Sequence, residues 1–342
     1  MLTLLSVSYP LAPVTADPAG GAEQVLAQLD RALVAAGHRS IVIAPDGSAV
    51  AGELISLPRV PAVIGDADRT AAHGATRDAI AGVLARERVD LVHLHGIDFP
   101  DYLPASGVPA LATLHMPPDW YAEGALTPTR PRTFLSPVSH HQAGRAPATA
   151  RLLDPIPNGV DEDAYRPGVS RGDFAVVLGR VAPEKGFHDA ADAAREAGVP
   201  LIAAGKLFPY AAHLRYFIEQ VRPRLDRWRR YIGPVAGAQK RRLLQRARCL
   251  LIPSTAPETS SLVAMEALAS GTPVIAYRAG ALPEIVDDGV TGFVVDDVAG
   301  MAAAIGRIDA IDPAACRRAA CERFSLRRTT AAYLDLYHRL AA

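Results

Sequence analysis

The sequence contains few cysteines, few lysines and no long apolar run, and each shortage narrows the possible functions. Cys249, Cys316 and Cys321 form no CxxC pair and leave an odd number, which disfavours a disulfide framework or a zinc site and fits buried thiols in a cytoplasmic protein. No apolar run approaches the ~20 residues that span a bilayer, so we expect no stable membrane insertion. The opening MLTLLSVSYP lacks a cationic region and a cleavage site, so we expect a first β-strand there and no signal peptide. The formal net charge of +0 is not typical of a nucleic-acid-binding protein.

Lysine is especially scarce among the charged residues. Of 36 basic residues only Lys185, Lys206 and Lys240 are lysine, and the others are arginine. Such a bias, together with many alanines and 28 prolines, indicates a GC-rich bacterial genome. A lysine in this sequence is an exception to the bias toward arginine, so these three positions are candidates for a specific role.

The order of apolar and amphipathic segments predicts two α/β domains. A chain of 342 residues exceeds what one hydrophobic core usually supports. Apolar runs alternating with helical segments predict two doubly wound parallel sheets, with ligands at the carboxyl ends of the strands. A turn-rich segment, 155–171, is interpreted as the linker between them. The predicted strands are 2–7, 40–44, 91–94, 109–114, 134–138, 174–178, 201–204, 249–252 and 273–276. The predicted helices are 22–36, 76–87, 187–197, one within 209–222, 236–247, 261–270, 298–308 and 326–340.

The most informative stretch is PSTAPETSSLVAMEALASGTPVIAYRAGALPEIVDDGVTGFVVDD, residues 253–297. Glu258 precedes a predicted helix start and Glu266 follows eight residues later, inside the helix. The backbone amides of Ser261 and Leu262, at the positive end of the helix dipole, predict a phosphate site. Glu266 is then placed to reach a ribose hydroxyl and Glu258 to face a donor sugar. An isolated pair of this kind is more often made of capping and surface charges.

This stretch resembles the signature of the family 4 retaining glycosyltransferases, E-x-F-G-L-x-x-x-E-A-x-A-x-G-x-P-V-[IV]-A followed by G-x-x-x-E. The sequence departs from it at Ser260 and Ser261, where the family usually has Phe-Gly, and this puts in doubt how the wall around the donor sugar is built. The positions that match after the second glutamate are Ala267, Ala269, Gly271, Pro273, Val274, Ile275, Ala276, Gly280, Glu284, Ile285, Val286 and Gly292.

Two further segments resemble motifs of the same family. LGRVAPEKG, residues 178–186, is similar to the G-R-x-x-x-x-K-G loop, which implies that Arg180 and Lys185 bind the diphosphate and stabilise its charge as the sugar leaves. PAGGAEQ is similar to the opening G-G-A-E, in which Gly20 and Gly21 let the backbone approach a ligand. The absence of GxGxxG disfavours a nicotinamide dehydrogenase.

Histidines and aromatic residues follow the predicted strands of the first domain. His93 and His95 could ligate a metal, but no third ligand has a suitable spacing, and a structural role is equally open for His93. The family resemblance implies that His115 contacts the donor sugar, and His95 is a candidate on the acceptor side. Trp120 and Tyr121 either stack on a sugar or aglycone or pack their loop against the domain.

An acidic run and a basic, aromatic segment resemble functional motifs, but we interpret both as structural. The acidic run 161–163 contains DxD but coincides with the family's N-G-V-D linker, so we do not expect a manganese site there. RPRLDRWRR, residues 222–230, is basic and aromatic and is interpreted as part of a solvated helix and loop. The following YIGPV resembles the strand whose backbone contacts the nucleotide base.

The resemblance implies an α/β protein of two Rossmann-like doubly wound domains facing across a cleft, the GT-B fold. Residues 1–156 form the acceptor domain, 172–324 the nucleotide-sugar domain, and the helix within 325–342 packs back on the first. The implied activity is retaining transfer from a UDP- or dTDP-sugar to a hydroxyl of a small molecule or oligosaccharide, with no cofactor and no catalytic metal. Length, arginine content and the serine pair indicate antibiotic tailoring in an actinomycete. A GT-B nucleotide-sugar epimerase and a non-catalytic nucleotide-sugar-binding protein remain as alternatives.

Overall fold

The structure is a computed structural model that describes residues 1–15, 20–59, 61, 64–168 and 170–342. Pro18 and Ala19 of the opening glycine motif, and Val169 of the predicted linker, lie outside the described residues. The chain divides into two compact units. Unit 1 comprises Met1–Asn158 and Thr329–Ala342, and unit 2 comprises Gly159–Arg328.

Unit 1 contains a six-stranded parallel sheet in the order β3-β2-β1-β4-β5-β6. Alternate residues of β2 are buried in two different apolar clusters, so this strand needs apolar side chains on both faces. The strands are β1 Thr3–Val7, β2 Arg39–Pro45, β3 Glu53–Leu57, β4 Leu91–Leu94, β5 Ala110–Leu114 and β6 Thr133–Pro137. Its first helices are α1 Gly21–Ala35, α2 Asp66–Arg86 and α3 His140–Arg145.

Unit 2 repeats this design with the order β12-β11-β10-β7-β8-β9, again parallel. The predicted α/β class with two Rossmann-like domains is therefore confirmed. The strands are β7 Ala175–Leu178, β8 Leu201–Ala204, β9 Arg229–Tyr231, β10 Cys249–Ile252, β11 Val274–Tyr277 and β12 Gly292–Val295. The helices are α4 Phe187–Glu196, α5 Ala211–Tyr216 with a π-helical continuation over Phe217–Val221, α6 Gly237–Arg246, α7 Leu262–Ala269, α8 Leu282–Ile285, α9 Val298–Arg307 and α10 Pro313–Arg323.

The C-terminal helix α11, Leu326–Ala341, begins in unit 2 and has most of its length in unit 1. Glu162 holds its start, because the carboxylate accepts hydrogen bonds from the Ser325 hydroxyl (2.8 Å) and from the Leu326 amide (3.3 Å). Further along the helix, Tyr333 and Tyr337 are fully buried. Among the described residues, no helix has both the length and the apolar character needed to cross a membrane.

The interpretation of the basic segment 222–230 was partly wrong. A short 3-10 turn covers Arg222–Arg224, as a solvated helix and loop would allow, but Arg229–Tyr231 forms the edge strand β9 beside β8. The strand expected in YIGPV thus ends at Tyr231 instead of beginning there. The Phe217 ring packs 5.0 Å from the Tyr231 ring, which fixes the strand against the helical segment that precedes it.

Candidate active site

The strand order of unit 2 creates one favoured ligand position. β7 lies between β8 and β10. The strand that follows β7 in sequence, β8, is added toward one edge of the sheet, and the strand that follows β10, β11, is added toward the other edge. In doubly wound sheets this switch point leaves a crevice at the carboxyl ends of the two strands, where ligands bind. The loop 179–186 follows β7 and the segment 253–261 follows β10, so the topology brings the two predicted motifs together.

The two segments are in direct contact. Lys185 Nζ lies 2.5 Å from Glu258 Oε1, although 73 residues separate them in sequence. The Thr255 amide donates to the Glu184 carbonyl at 3.0 Å. Gly186 has φ +62°, and a Cβ there would lie 2.0 Å from the Pro253 carbonyl oxygen. Only glycine permits this approach, which explains the K-G end of the motif.

Glu258 is fixed from several directions. Its side chain is 12% exposed, and Oε1 also accepts a hydrogen bond from the Ser254 hydroxyl at 2.5 Å. Its carbonyl accepts the Ala281 amide at 2.7 Å. Gly280 has φ +63°, and a Cβ there would lie 2.1 Å from the Glu258 carbonyl oxygen. The glycine of the second half of the signature therefore anchors the backbone that carries this carboxylate.

Helix α7 begins directly after the serine pair. Ser261 is the N-cap, with extended backbone (φ −133°, ψ 92°), and its hydroxyl accepts a hydrogen bond from the Ala264 amide at 3.4 Å. The structure thus confirms the start of the helix predicted over residues 261–270. Leu262 is the first helical residue, so its amide lies at the positive end of the helix. The Ser260 hydroxyl is buried and has no hydrogen-bond partner within the described ranges.

Glu266 lies on α7 and is 1% exposed. Lys240 of α6 reaches its Oε1 with Nζ at 2.8 Å, and the Lys240 side chain is 13% exposed. The same Nζ lies 5.6 Å from the centre of the Tyr165 ring. Sequence reasoning did not assign Lys240 to the site, although its rarity as a lysine was a signal.

The other predicted cation is more accessible. The Arg180 guanidinium is 35% exposed and forms a long ion pair of 3.5 Å with Glu184, four residues away in its own loop. Because such an exposed pair is weak, Arg180 can exchange Glu184 for a ligand anion at little cost. Lys206, the third lysine, lies over the Phe208 ring, 4.6 Å from its centre.

In unit 1, three predicted histidines lie together: His93 within β4, His95 directly after β4 and His115 directly after β5. His93 bonds through both ring nitrogens, to the Tyr337 hydroxyl (2.9 Å) and the Thr113 hydroxyl (2.8 Å), which is a structural role. The His95 and His115 rings are stacked, with His95 Nδ1 3.1 Å from His115 Nε2. No group in the described chain bonds to His95 Nε2, which is buried.

Burial keeps these histidines neutral. It lowers the pKa of His93 to about 3 and that of His115 to about 4, and it lowers the pKa of His95 well below its ordinary value, with His93 adding to the shift. All three imidazoles are therefore uncharged at neutral pH and act as hydrogen-bonding groups.

The remaining candidates of unit 1 differ in accessibility. Gly20 is the N-cap of α1 and Gly21 its first residue, and a Cβ on Gly20 would lie 1.9 Å from Glu23 Oε2, so that carboxylate occupies the space beside it. Tyr121 is 9% exposed and packs against the Phe99 ring, so it fixes its loop to the domain. Trp120 is 48% exposed and remains available for stacking.

The acidic run 161–163 has a local structural role. Asp161 Oδ1 accepts the amides of Asp163 (3.0 Å) and Ala164 (3.1 Å), and Glu162 holds the start of α11. Hydrogen bonds from its own backbone, Ser325 and Arg327 lower the pKa of Glu162 against the opposing effect of burial. Throughout the part of the chain that the structure describes, no cluster of three His, Cys, Asp or Glu side chains could hold a metal ion.

Both halves of the chain match family models. Residues 19–164 match "Glycosyltransferase Family 4" and residues 173–309 match "Glycosyl transferases group 1". D-inositol 3-phosphate glycosyltransferase of Saccharomonospora viridis is 35% identical over 227 residues, 58% of this chain and 52% of the relative. The chain spans about half the length of the curated relatives it matches.

Solved structures with the same fold cover the whole chain. AviGT4, a glycosyltransferase involved in avilamycin A biosynthesis, is 25% identical with a TM-score of 0.72, covering 100% of this chain and 98% of its own. Alr3699/HepE of Anabaena, solved with UDP-glucose, is 18% identical with a TM-score of 0.76, covering 99% and 100%. The protein belongs to the family 4 glycosyltransferases of the GT-B fold.

Proposed function

We propose that this protein is a cytoplasmic, retaining glycosyltransferase. It transfers a glycosyl unit from a UDP- or dTDP-sugar to a hydroxyl of a small-molecule or oligosaccharide acceptor. Family membership supports transfer as the reaction, and the UDP-glucose complex of Alr3699/HepE supports a nucleotide-sugar donor. The likeness to AviGT4 supports an acceptor in antibiotic assembly.

The observation that carries the proposal is the Lys185–Glu258 pair at the carboxyl ends of β7 and β10, next to the N-terminus of α7. A diphosphate bound here replaces the Glu258 carboxylate as the partner of the Lys185 ammonium. Arg180 and the amides at the start of α7 also bind the diphosphate. These groups stabilise the negative charge that develops on the phosphate as the sugar leaves.

Release from Lys185 leaves Glu258 as an anion facing the positively charged ring of the transferred sugar. The leaving phosphate then takes the acceptor proton from the same face, which preserves the anomeric configuration. All the cationic groups in this scheme come from the protein, so we propose that transfer requires neither a catalytic metal nor a cofactor. His115 and His95, both neutral, serve as hydrogen-bonding groups toward the donor sugar and the acceptor.

The test is a product analysis with UDP- and dTDP-sugars and a panel of hydroxyl acceptors. Wild type should release nucleoside diphosphate in step with product whose anomeric configuration, assigned by NMR, equals that of the donor. Glu258→Gln should lower kcat by about 10²-fold because its charge stabilises the transition state. Lys206→Ala is the matched control, since it removes a lysine of the same unit whose ammonium lies over the Phe208 ring.

The outcomes separate the alternatives. An epimerase converts the donor without any acceptor, and a non-catalytic binding protein tolerates Glu258→Gln without functional loss. Inversion at the anomeric carbon would refute the retaining mechanism while leaving glycosyl transfer intact.

A further inference from the structure

A cavity lies in unit 2 at the edge of the sheet opposite the candidate active site. Its volume of about 400 Å³ is within the range of small-molecule sites, about 300–1,000 Å³. Residues 171–173, 198–200 and 248, which line it, precede β7, β8 and β10, so the cavity lies at the amino ends of these strands. The loops of the candidate active site follow the carboxyl ends of β7 and β10. Four of the residues that line the cavity are charged: Arg171, Asp173, Arg248 and Asp309.

Arg171 brings a guanidinium to this cavity without a carboxylate partner. Its Nη2 group donates a hydrogen bond to the Gly271 carbonyl, and no carboxylate of the described chain lies within ion-pair distance of it. Partial burial lowers the pKa of Arg171 below its ordinary value, against the opposing effect of nearby groups such as Asp309. The guanidinium charge is therefore incompletely solvated and gains from a bound anion. Since a guanidinium has five N–H donors in a planar fork, donors remain for two parallel bonds to an oxyanion.

Arg248 provides a second cation at the same cavity. Its Nη2 and Nε donate to the two carboxylate oxygens of Asp309, at 2.7 Å and 3.2 Å. The Asp309 side chain is 74% exposed, so the pair is of the weak surface type. Within the described ranges no residue accepts a hydrogen bond from Arg248 Nη1, so Arg248 can bind the same anion as Arg171.

Asp173 offers the opposite chemistry. Its carboxylate is exposed, and neither an ion pair nor a side-chain hydrogen bond joins it to another residue of the described chain. Although Arg171 is only two residues away and lines the same cavity, the two side chains do not pair with each other. A carboxylate accepts hydrogen bonds from hydroxyl groups. The cavity thus combines donors for an oxyanion with an acceptor for hydroxyls.

We propose that this cavity binds the phosphate monoester of a sugar or polyol, with the phosphate between the guanidinium groups of Arg171 and Arg248 and a hydroxyl donating to Asp173. A phosphate monoester fits two guanidinium groups better than a carboxylate does, because it carries a charge of about −1.5 to −2 and three strong acceptor oxygens. The cavity and the donor crevice lie at opposite edges of one sheet, so binding here does not require a nucleotide in the crevice.

The experiment is calorimetry on the full chain with ribose 5-phosphate, ribose, ribonate and inorganic phosphate as probes. Wild type should bind ribose 5-phosphate with a Kd below about 1 mM. Ribose, which lacks the anion, and ribonate, which carries only a carboxylate, should bind at least about 10-fold more weakly. Arg171→Lys keeps the charge but loses the planar fork, and it should weaken ribose 5-phosphate about 10-fold. Asp173→Ala should weaken ribose 5-phosphate about fivefold and leave inorganic phosphate within about twofold, because inorganic phosphate has no sugar hydroxyl.

Two controls separate this cavity from other cations of unit 2. Arg278→Lys changes an arginine that pairs with the exposed Asp296 and does not line the cavity, so it should bind ribose 5-phosphate as wild type does. Lys185→Ala, at the carboxyl edge of the sheet, should also bind it as wild type does. If Arg171→Lys does not fold, Asp173→Ala still decides, because it removes an exposed carboxylate without a partner in the described chain.

Several results would overturn the assignment. These are wild type without measurable affinity for ribose 5-phosphate, equal affinity for ribonate, and wild-type affinity in Asp173→Ala. A loss of binding in Lys185→Ala would place the phosphate in the candidate active site instead. None of these results bears on glycosyl transfer, which the product analysis tests separately.

Discussion

Acidification should destabilise unit 1 through its three buried histidines. Burial holds the pKa of His93 at about 3 and that of His115 at about 4 in the folded protein, and that of His95 well below its ordinary value. In the unfolded chain each imidazole titrates near 6.5. The unfolded state therefore binds more protons between about pH 4 and 6.5, so stability is present above pH 6.5 and is lost as the pH falls below it.

The magnitude follows from the number of groups. One pH unit below 6.5 costs about 1.4 kcal/mol for each histidine that stays neutral in the folded state, so three histidines lower the free energy of unfolding by about 4 kcal/mol between pH 7.5 and 5.5. His38 adds a smaller contribution of the same sign, since partial burial and the neighbouring His338 lower its pKa. This window lies above the range in which carboxylates titrate.

The assay is urea unfolding at a series of pH values, followed by tryptophan fluorescence. The chain has two tryptophans, Trp120 in unit 1 and Trp228 in unit 2, so a Trp228→Phe background reports on unit 1 alone. His95→Asn should reduce the pH-dependent loss by about 1.4 kcal/mol, whatever it does to stability at pH 7.5. His140→Gln, which removes an exposed histidine outside the cluster, is the control variant. A loss below about 1.5 kcal/mol in the parent would refute the neutral, buried state of the cluster.

Other predictions concern unit 2. Arg180→Ala and Lys185→Ala should each weaken binding of UDP or dTDP by about 2–3 kcal/mol, and unchanged affinity in both, measured by calorimetry, would remove them from the diphosphate site. Saturating EDTA should leave turnover within about twofold, whereas a large loss restored by Mn²⁺ would contradict metal-independent transfer. Glu266→Gln should raise the KM for the donor more than it lowers kcat, and steady-state kinetics with the opposite split would place Glu266 at the reacting sugar. Ser261→Gly should keep most activity, because a glycine cap costs α7 only a few tenths of a kcal/mol. Ser261→Pro should abolish donor binding, because proline removes the backbone amide. Equal activity of the two variants would show that the amide is not used.

The central strands were predictable because they are buried on both faces. The predicted bounds 201–204 and 249–252 coincide with β8 and β10, and most of the other central strands agree within one residue. The edge strands β3 and β12 were missed, and the edge strand β9 was placed too late in the sequence, at YIGPV. Their residues alternate between buried and accessible positions or are largely exposed, so their sequences contain no continuous apolar run. The three-residue β9 is defined by its neighbour β8 more than by its own residues.

Helix α10 was also missed, although its start carries a recognisable signal. Asp312 caps it by accepting the Ala314 amide at 2.8 Å, and Pro313 is the first helical residue. An Asp-Pro pair of this kind marks a helix start, but the residues that follow alternate charges and alanines without a clear apolar stripe. The sequence thus contains the signal for the start of the helix but lacks the 3.6-residue spacing of apolar residues by which helices were predicted.

Contacts within one motif could be predicted from the sequence, and contacts between motifs could not. The N-cap at Ser261 follows from local spacing, which fixes neighbours along a helix. The Lys240–Glu266 pair joins two helices across the packing of unit 2, and no spacing rule encodes that distance. The family motif indicated that Lys185 and Glu258 share a site, but their direct pairing depends on the close approach that Gly186 permits.

The serine pair before α7 is where this protein can differ from its family in donor choice. The extended backbone of Ser261 is open to any residue, so the glycine usual at this position is not required here, and the hydroxyl serves as the cap instead. The backbone amides that we propose for the phosphate site are therefore unaffected by the change. Ser260 is different, because its hydroxyl is buried and has no partner within the residues the structure describes. An unpaired buried hydroxyl costs about 1–3 kcal/mol, which a hydrogen-bonding ligand group would offset. Where the family usually has an apolar phenylalanine, this chain thus has a buried polar group directly before α7, where we propose that the donor binds.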